Sequence, residues 1–174
     1  MKYLAAIALA LGSPVAAEVV HADAHDFEVS QSVAVKLPAA DALMAFTRVS
    51  DWWIADHTYS GNPANLTLEP KPNGCLCERF PGGGGIEHLH VTYFEPGKYL
   101  ILTGAMGPLL HEAVNGVLIV SVKGEGEGSR LTMDYRTSGF SNGSGDKFAA
   151  MADKMFADTI DHYRVYANGV AGRR

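Results

Sequence analysis

Residues 146–167 read DKFAAMADKMFADTIDHYRVYA, and their spacing decides the fold. Phe148, Met151, Met155, Thr159, Tyr163 and Tyr166 fall on one stripe at the three- and four-residue steps of an α-helix. Asp153, Lys154, Asp158, Asp161 and Arg164 lie mostly off it. The segment reads as one amphipathic helix of roughly 30 Å. Gly143-Ser144-Gly145 precedes it as a hinge, and Gly169 is its expected stop, leaving 168–174 as a tail. The stripe is richer in methionine and tyrosine than in leucine. Both residues suit a packed core, and a helix closing over a ligand cavity would want the same ones.

Upstream of this helix the dominant period is two. Phe27, Val29, Gln31, Val33, Val35 and Leu37 share one parity, as in a strand with one buried face. Pro38 ends it and opens a helix over Ala39–Val49, with Leu43, Met44, Phe46 and Thr47 at helical spacing. Ser50-Asp51 can cap a second short helix holding Trp52 and Trp53. Six strand signals follow, over 65–69, 74–80, 86–94, 99–104, 113–123 and 129–139. The breakers between them are short, so the strands form an antiparallel meander.

The chain has 174 residues, 47% of them hydrophobic and 19% charged, which fits one globular domain. A formal net charge of −5 and the lack of any basic run exclude nucleic acid as a partner. No Walker, Rossmann, nucleophile-elbow or His-Glu-x-x-His pattern is present, and no cofactor is called for. The first 17 residues have the form of a signal peptide: Lys2, an apolar run over 3–11, then the small residues Val15-Ala16-Ala17. Cleavage is expected after Ala17, with residues 18–26 as a flexible start. The apolar run is too short to span a bilayer and no other approaches that length, so no lasting membrane insertion is expected. Export places the protein in the periplasm if its source is a Gram-negative bacterium.

The chemistry gathers between Trp52 and Leu109. His57 follows the tryptophans and reads as a polar group at a pocket mouth, or as a loop tie. Glu78 and His88 flank one hairpin turn. If Phe80 opposes Ile86, Glu78 opposes His88, and a carboxylate orients an imidazole. If Phe80 opposes Gly85, Cys77 faces His88 and Cys75 faces His90. Cys75, Cys77, His88 and His90 would then share one face as a Cys2His2 metal candidate. The reading favours no metal, because flat adjacent strands spread ligands and structural zinc sites use Cys-x-x-Cys spacing. A Cys75–Cys77 bridge is not expected, since i and i+2 Cα atoms of a strand lie roughly 6.5–7 Å apart. Two buried free thiols are the favoured reading. Gly104 to Leu109 reads as a tight corner, with Met106 and Leu109 lining the cavity.

The order of strand, two short helices, six antiparallel strands and one long helix is that of the helix-grip fold. The chain resembles the START-like (SRPBCC) superfamily over about residues 27–167, as an exported bacterial branch. Its local marks are Trp52-Trp53, 57–61 (HTYSG), 74–78 (GCLCE), His88, 107–109 (GPL) and Gly116. The resemblance implies an α+β domain, with a curved antiparallel sheet of about seven strands wrapped around the C-terminal helix over an apolar cavity. The expected job is binding a small hydrophobic or amphipathic ligand, with Trp52, Trp53, His57, Tyr59, Glu78, His88, Met106, Leu109, Tyr135, Met151 and Met155 around it. The alternative is a cyclase/dehydratase-type enzyme in which His57, Glu78 and His88 move protons. A protein-binding module, by analogy with chaperone-ATPase activators, is a third, disfavoured because export removes an ATP-driven partner. The resemblance identifies no protein partner.

Overall fold

A computed structural model describes residues 16–173, with side chains from Glu18 onward. The expected leader lies outside the described residues except for Ala16 and Ala17. These two begin strand β1 (Ala16–Ala22), which pairs antiparallel with β2 (Asp26–Val35). Residues 18–26 are thus not a frayed start. Their polar, mixed sequence suits an edge strand, whose backbone pairing needs no apolar face.

Helix α1 (Ala39–Phe46) follows β2, entered through Pro38. It buries Ala42, Leu43, Ala45 and Phe46, whereas Met44 is exposed. It ends before Val49, where the Thr47 hydroxyl donates to the Met44 carbonyl. The second expected helix is absent: single 3-10 turns at Val49–Asp51, Ala55–His57 and Pro63–Asn65 carry the chain instead. Six strands then run as expected: β3 (Leu66–Leu68), β4 (Cys75–Arg79), β5 (Gly85–Glu95), β6 (Tyr99–Thr103), β7 (Asn115–Glu125) and β8 (Gly128–Ser138). Together the strands form one antiparallel sheet of order β1-β2-β8-β7-β6-β5-β4-β3, curved but not closed. Among the described residues it has eight strands, because β1 adds to the expected seven.

Helix α2 (Gly145–Ala171) lies along the concave face, against β2, β1 and α1. Gly169 does not stop it; the helix runs two residues further and is capped at Gly172. Its core face is Ala149, Phe156, Thr159, Ile160, Tyr163 and Ala167, so the expected stripe is rotated from the core seam. Thr159 and Tyr163 belong to both. Phe148 and Met155 are only partly buried, and Met151 is 51% exposed. Alanines made the true seam hard to read, since they mark a face weakly while allowing close helix–sheet approach.

The seam is anchored by Tyr163, whose hydroxyl donates to the Ala42 carbonyl at 2.8 Å. Its ring meets Phe46 at 5.5 Å and Trp52 at 5.4 Å. We expect Tyr163→Phe to cost about 1 kcal/mol, the net value of one buried hydrogen bond, measured by urea denaturation. Trp52, whose indole N–H donates to the Phe46 carbonyl, belongs to this cluster. Among the described residues no helix is long and apolar enough to cross a membrane.

Candidate functional site

The site is built on an irregularity in the β4–β5 hairpin. Cys75 pairs with His90 and Leu76 with Leu89, but Cys77 pairs with Glu87 and Glu78 with Ile86. His88 is the extra residue of a β-bulge. Neither regular register can satisfy this sequence. Continuing the first pairs would carry Glu87 inward beside Glu78; continuing the second would turn Leu89 and Val91 outward. The bulge keeps Glu87 and His90 outside and lets His88 and Leu89 both point inward, with 6% and 1% exposure.

The same irregularity overturns the expectation for the cysteines. Cys75 and Cys77 form a disulfide with a Cα–Cα distance of 5.3 Å. Opposite the bulge, β4 bends, and two Cα atoms that an ideal strand holds too far apart come within bridging distance. Both residues are partly exposed on the outer face, not buried. The Cys2His2 arrangement is excluded as well: the sulfurs are bonded to each other, His88 faces the interior, and His90 outside pairs with Glu87 at 3.3 Å.

Inside, the bulge brings Glu78 and His88 together. Glu78 Oε2 lies 3.0 Å from His88 Nε2 and 3.0 Å from the Tyr59 amide nitrogen. Oε1 accepts the Ser60 N–H at 2.5 Å. One buried carboxylate thus ties the 56–62 loop to the sheet and fixes the imidazole. Burial alone would raise the Glu78 pKa, but the hydrogen bonds from Ser60, Tyr59 and His88 together outweigh it and hold the carboxyl below its ordinary value. An ionised carboxylate only accepts, so His88 donates to it through Nε2–H. Nδ1 has no hydrogen-bond partner among the described residues and is the ring nitrogen left for a ligand. The Tyr59 ring stands 5.8 Å from the imidazole.

The opposite wall depends on Tyr135 of β8. Its hydroxyl donates to the Gly104 carbonyl at 3.2 Å and accepts the Met106 N–H at 3.3 Å. Burial pushes this hydroxyl's pKa up to about 12, so it stays protonated. The ring lies across Gly116 of β7, where a Cβ would stand 2.6 Å from the phenol oxygen. Gly104, at φ +141°, turns the chain out of β6 into the 3-10 turn Gly107–His111. The expected tight corner is therefore present, and it also presents Met106 and Pro108 to the cavity.

Between these walls lies a cavity of about 330 Å³, lined by Trp53, Asp56, His57, Thr58, Tyr59, Leu66, Leu76, His88, Met106, Gly107, Pro108 and Met155. An adjoining lobe of about 190 Å³ shares His57, Met106, Pro108 and Met155 and adds Leu109, Tyr135, Phe148, Met151, Ala152 and Phe156. Nine of the eleven residues expected around a ligand line these two spaces. Trp52 is placed in the core, and Glu78 sits behind His88. His57 stands at the mouth, bordering an outer groove with Asp56, Asp158 and His162. Its carbonyl accepts the Trp53 indole N–H at 3.1 Å. The expected helical stripe Phe148, Met151 and Met155 finds its place here, as the cavity side of α2. Leu66 and Phe156 belong to no sequence motif, and Leu76 and Pro108 stand out only as parts of 74–78 and 107–109. For Leu66 the alternation with Thr67 and Leu68 signals an inward face, whereas Leu76 lies between two cysteines and carries no such signal.

No protein-family model and no curated protein matches the chain. Solved structures do. They include protein MLL2253 of Mesorhizobium loti (TM-score 0.58, 15% identity, covering 80% of this chain and 95% of that one). They also include the Aha1 dimer of Colwellia psychrerythraea (0.52, 14%, 81% and 96%). A third is StfQ, the di-domain ARO/CYC of the steffimycin biosynthetic pathway (0.54, 14%, 85% and 52%), of which this chain spans about half. At such identities the likeness is one of fold. The molecule has the helix-grip fold, one curved antiparallel sheet with a long C-terminal helix against it.

Proposed function

We propose that this is an exported binding protein whose cavity holds one small hydrophobic or amphipathic molecule. The observation that carries the reading is the cavity itself: apolar walls around a single buried polar group, His88, fixed from behind by Glu78. A few placed polar groups in an apolar pocket orient a ligand without demanding chemistry. The leader-like start supports export, and the disulfide agrees with an oxidising compartment.

A second reading is favoured by one specific feature. A carboxylate-backed imidazole with a free Nδ1 is the pair a proton-transfer step wants, so a cyclase/dehydratase-type enzyme remains the alternative. His57 at the mouth would be the second proton-handling group.

The two readings separate by native mass spectrometry and titration. A carrier retains a lipid-like or aromatic molecule under native conditions. His57→Ala or His88→Ala then weakens binding of the neutral dye N-phenyl-1-naphthylamine less than about tenfold, since each removes one polar contact from an apolar site. Turnover of a bound compound that either substitution abolishes would replace the carrier reading with the enzyme.

A further inference from the structure

We propose that the Cys75–Cys77 bridge is a reversible redox site on the outer face of the sheet. Its reduction by a small dithiol loosens the bulge that turns His88 inward and so weakens ligand binding. The binding half of this statement rests on the cavity reading above; the structural half does not.

Three observations carry it. First, both cysteines are partly exposed, while Leu76 between them lines the cavity and Glu78 beside them holds His88. The bridge is reachable from solvent, and the residues interleaved with it belong to the site. Second, the bridge lies on the register shift and joins Cα atoms 5.3 Å apart, closer than the roughly 6.5–7 Å of an ideal strand, so it braces the bend that the bulge makes in β4. Third, it closes a very short loop, at a sequence separation of 2, so it constrains the unfolded chain little. Its main mechanical effect is local, on the bend of β4.

The exchange balances with the dithiol alone. One dithiol thiolate attacks a cysteine Sγ; the protein S–S bond breaks, a mixed disulfide forms, and the released cysteine takes a proton. The second dithiol thiolate attacks its own sulfur in the mixed disulfide, closing the reductant's ring and freeing the other cysteine, which is protonated. The two cysteines are reduced and the dithiol is oxidised. The bulge itself persists, because an unbroken register would bury Glu87 beside Glu78. Reduction therefore loosens the hairpin and does not refold it.

The test treats the folded protein with dithiothreitol in the absence of denaturant and compares it with the Cys75→Ser/Cys77→Ser double variant. We expect two titratable thiols per chain and amide hydrogen exchange about tenfold faster over 75–79 and 86–90, with the rest of the sheet unchanged. The His88 imidazole resonances shift, and the Kd for N-phenyl-1-naphthylamine rises about three- to tenfold in both forms. Thiols that appear only in denaturant, unchanged exchange with unmoved His88 resonances, or unfolding on reduction would each overturn the proposal. If the dye fails to bind even the oxidised protein while exchange and His88 respond as stated, the redox coupling stands and the cavity reading falls.

Discussion

Replacing Glu78 with leucine destabilises the protein by about 3–5 kcal/mol and frees the 56–62 loop, as hydrogen exchange and urea denaturation will report. The size follows from what the carboxylate holds. It accepts from the Tyr59 and Ser60 amides and from His88, all from a buried position. Leucine fills the volume but strands three donors, one of them the imidazole that anchors the site. Glu78→Gln keeps an acceptor and costs less, about 1–3 kcal/mol.

The pair also sets a pH dependence. The folded Glu78 carboxyl ionises below its ordinary value, so the unfolded chain binds its proton more readily than the folded one. The stabilisation is fully present above the ordinary carboxylate pKa and is lost as pH falls through the lower folded value. Between about pH 5 and pH 3 the wild type should lose more stability than Glu78→Gln, measured by denaturation across that range.

Gly116→Ala is the second large effect, at about 3 kcal/mol, although it adds one methyl group on a strand. That methyl would lie 2.6 Å from the Tyr135 oxygen and 2.7 Å and 2.8 Å from two ring carbons. The ring has to move, which combines overpacking with loss of the two hydrogen bonds that hold Gly104 and Met106. The same substitution in a Tyr135→Ala background should cost little, and the difference between the two backgrounds measures the coupling. Additive costs would mean that Gly116 acts through something other than Tyr135.

The architecture was legible because burial writes periodicity into sequence. Phe27 to Leu37 alternates because one face of β2 meets the core, and the breakers after Glu69, Phe80, Phe94 and Lys123 mark real turns. What alternation cannot announce is a place where it fails. At His88-Leu89 two neighbours point inward, and reasoning from regular registers placed His88 opposite either Glu78 or Cys77 when it pairs with neither. The Glu78–His88 contact was anticipated, but by the wrong geometry. Ideal strand spacing argues against the disulfide, and the bend opposite the bulge removes that spacing. Trp52 and Trp53 are adjacent in sequence and both pack into the core, yet only Trp53 also lines the cavity. Leu66, Pro108 and Phe156 come from β3, the 3-10 turn after β6 and α2, and only the tertiary arrangement brings them to one cavity.

In the proposed function one apolar ligand occupies the space between His88 and α2. A titration of N-phenyl-1-naphthylamine, followed through methionine methyl resonances, tests this. Met106 and Met155 line the cavity, Met151 borders it, and Met44 is exposed on α1. Binding at the cavity shifts Met106, Met155 and Met151 together, saturates at one dye per chain and leaves Met44 in place. Shifts that fail to saturate, or that appear at Met44 while Met106 and Met155 stay still, would contradict it.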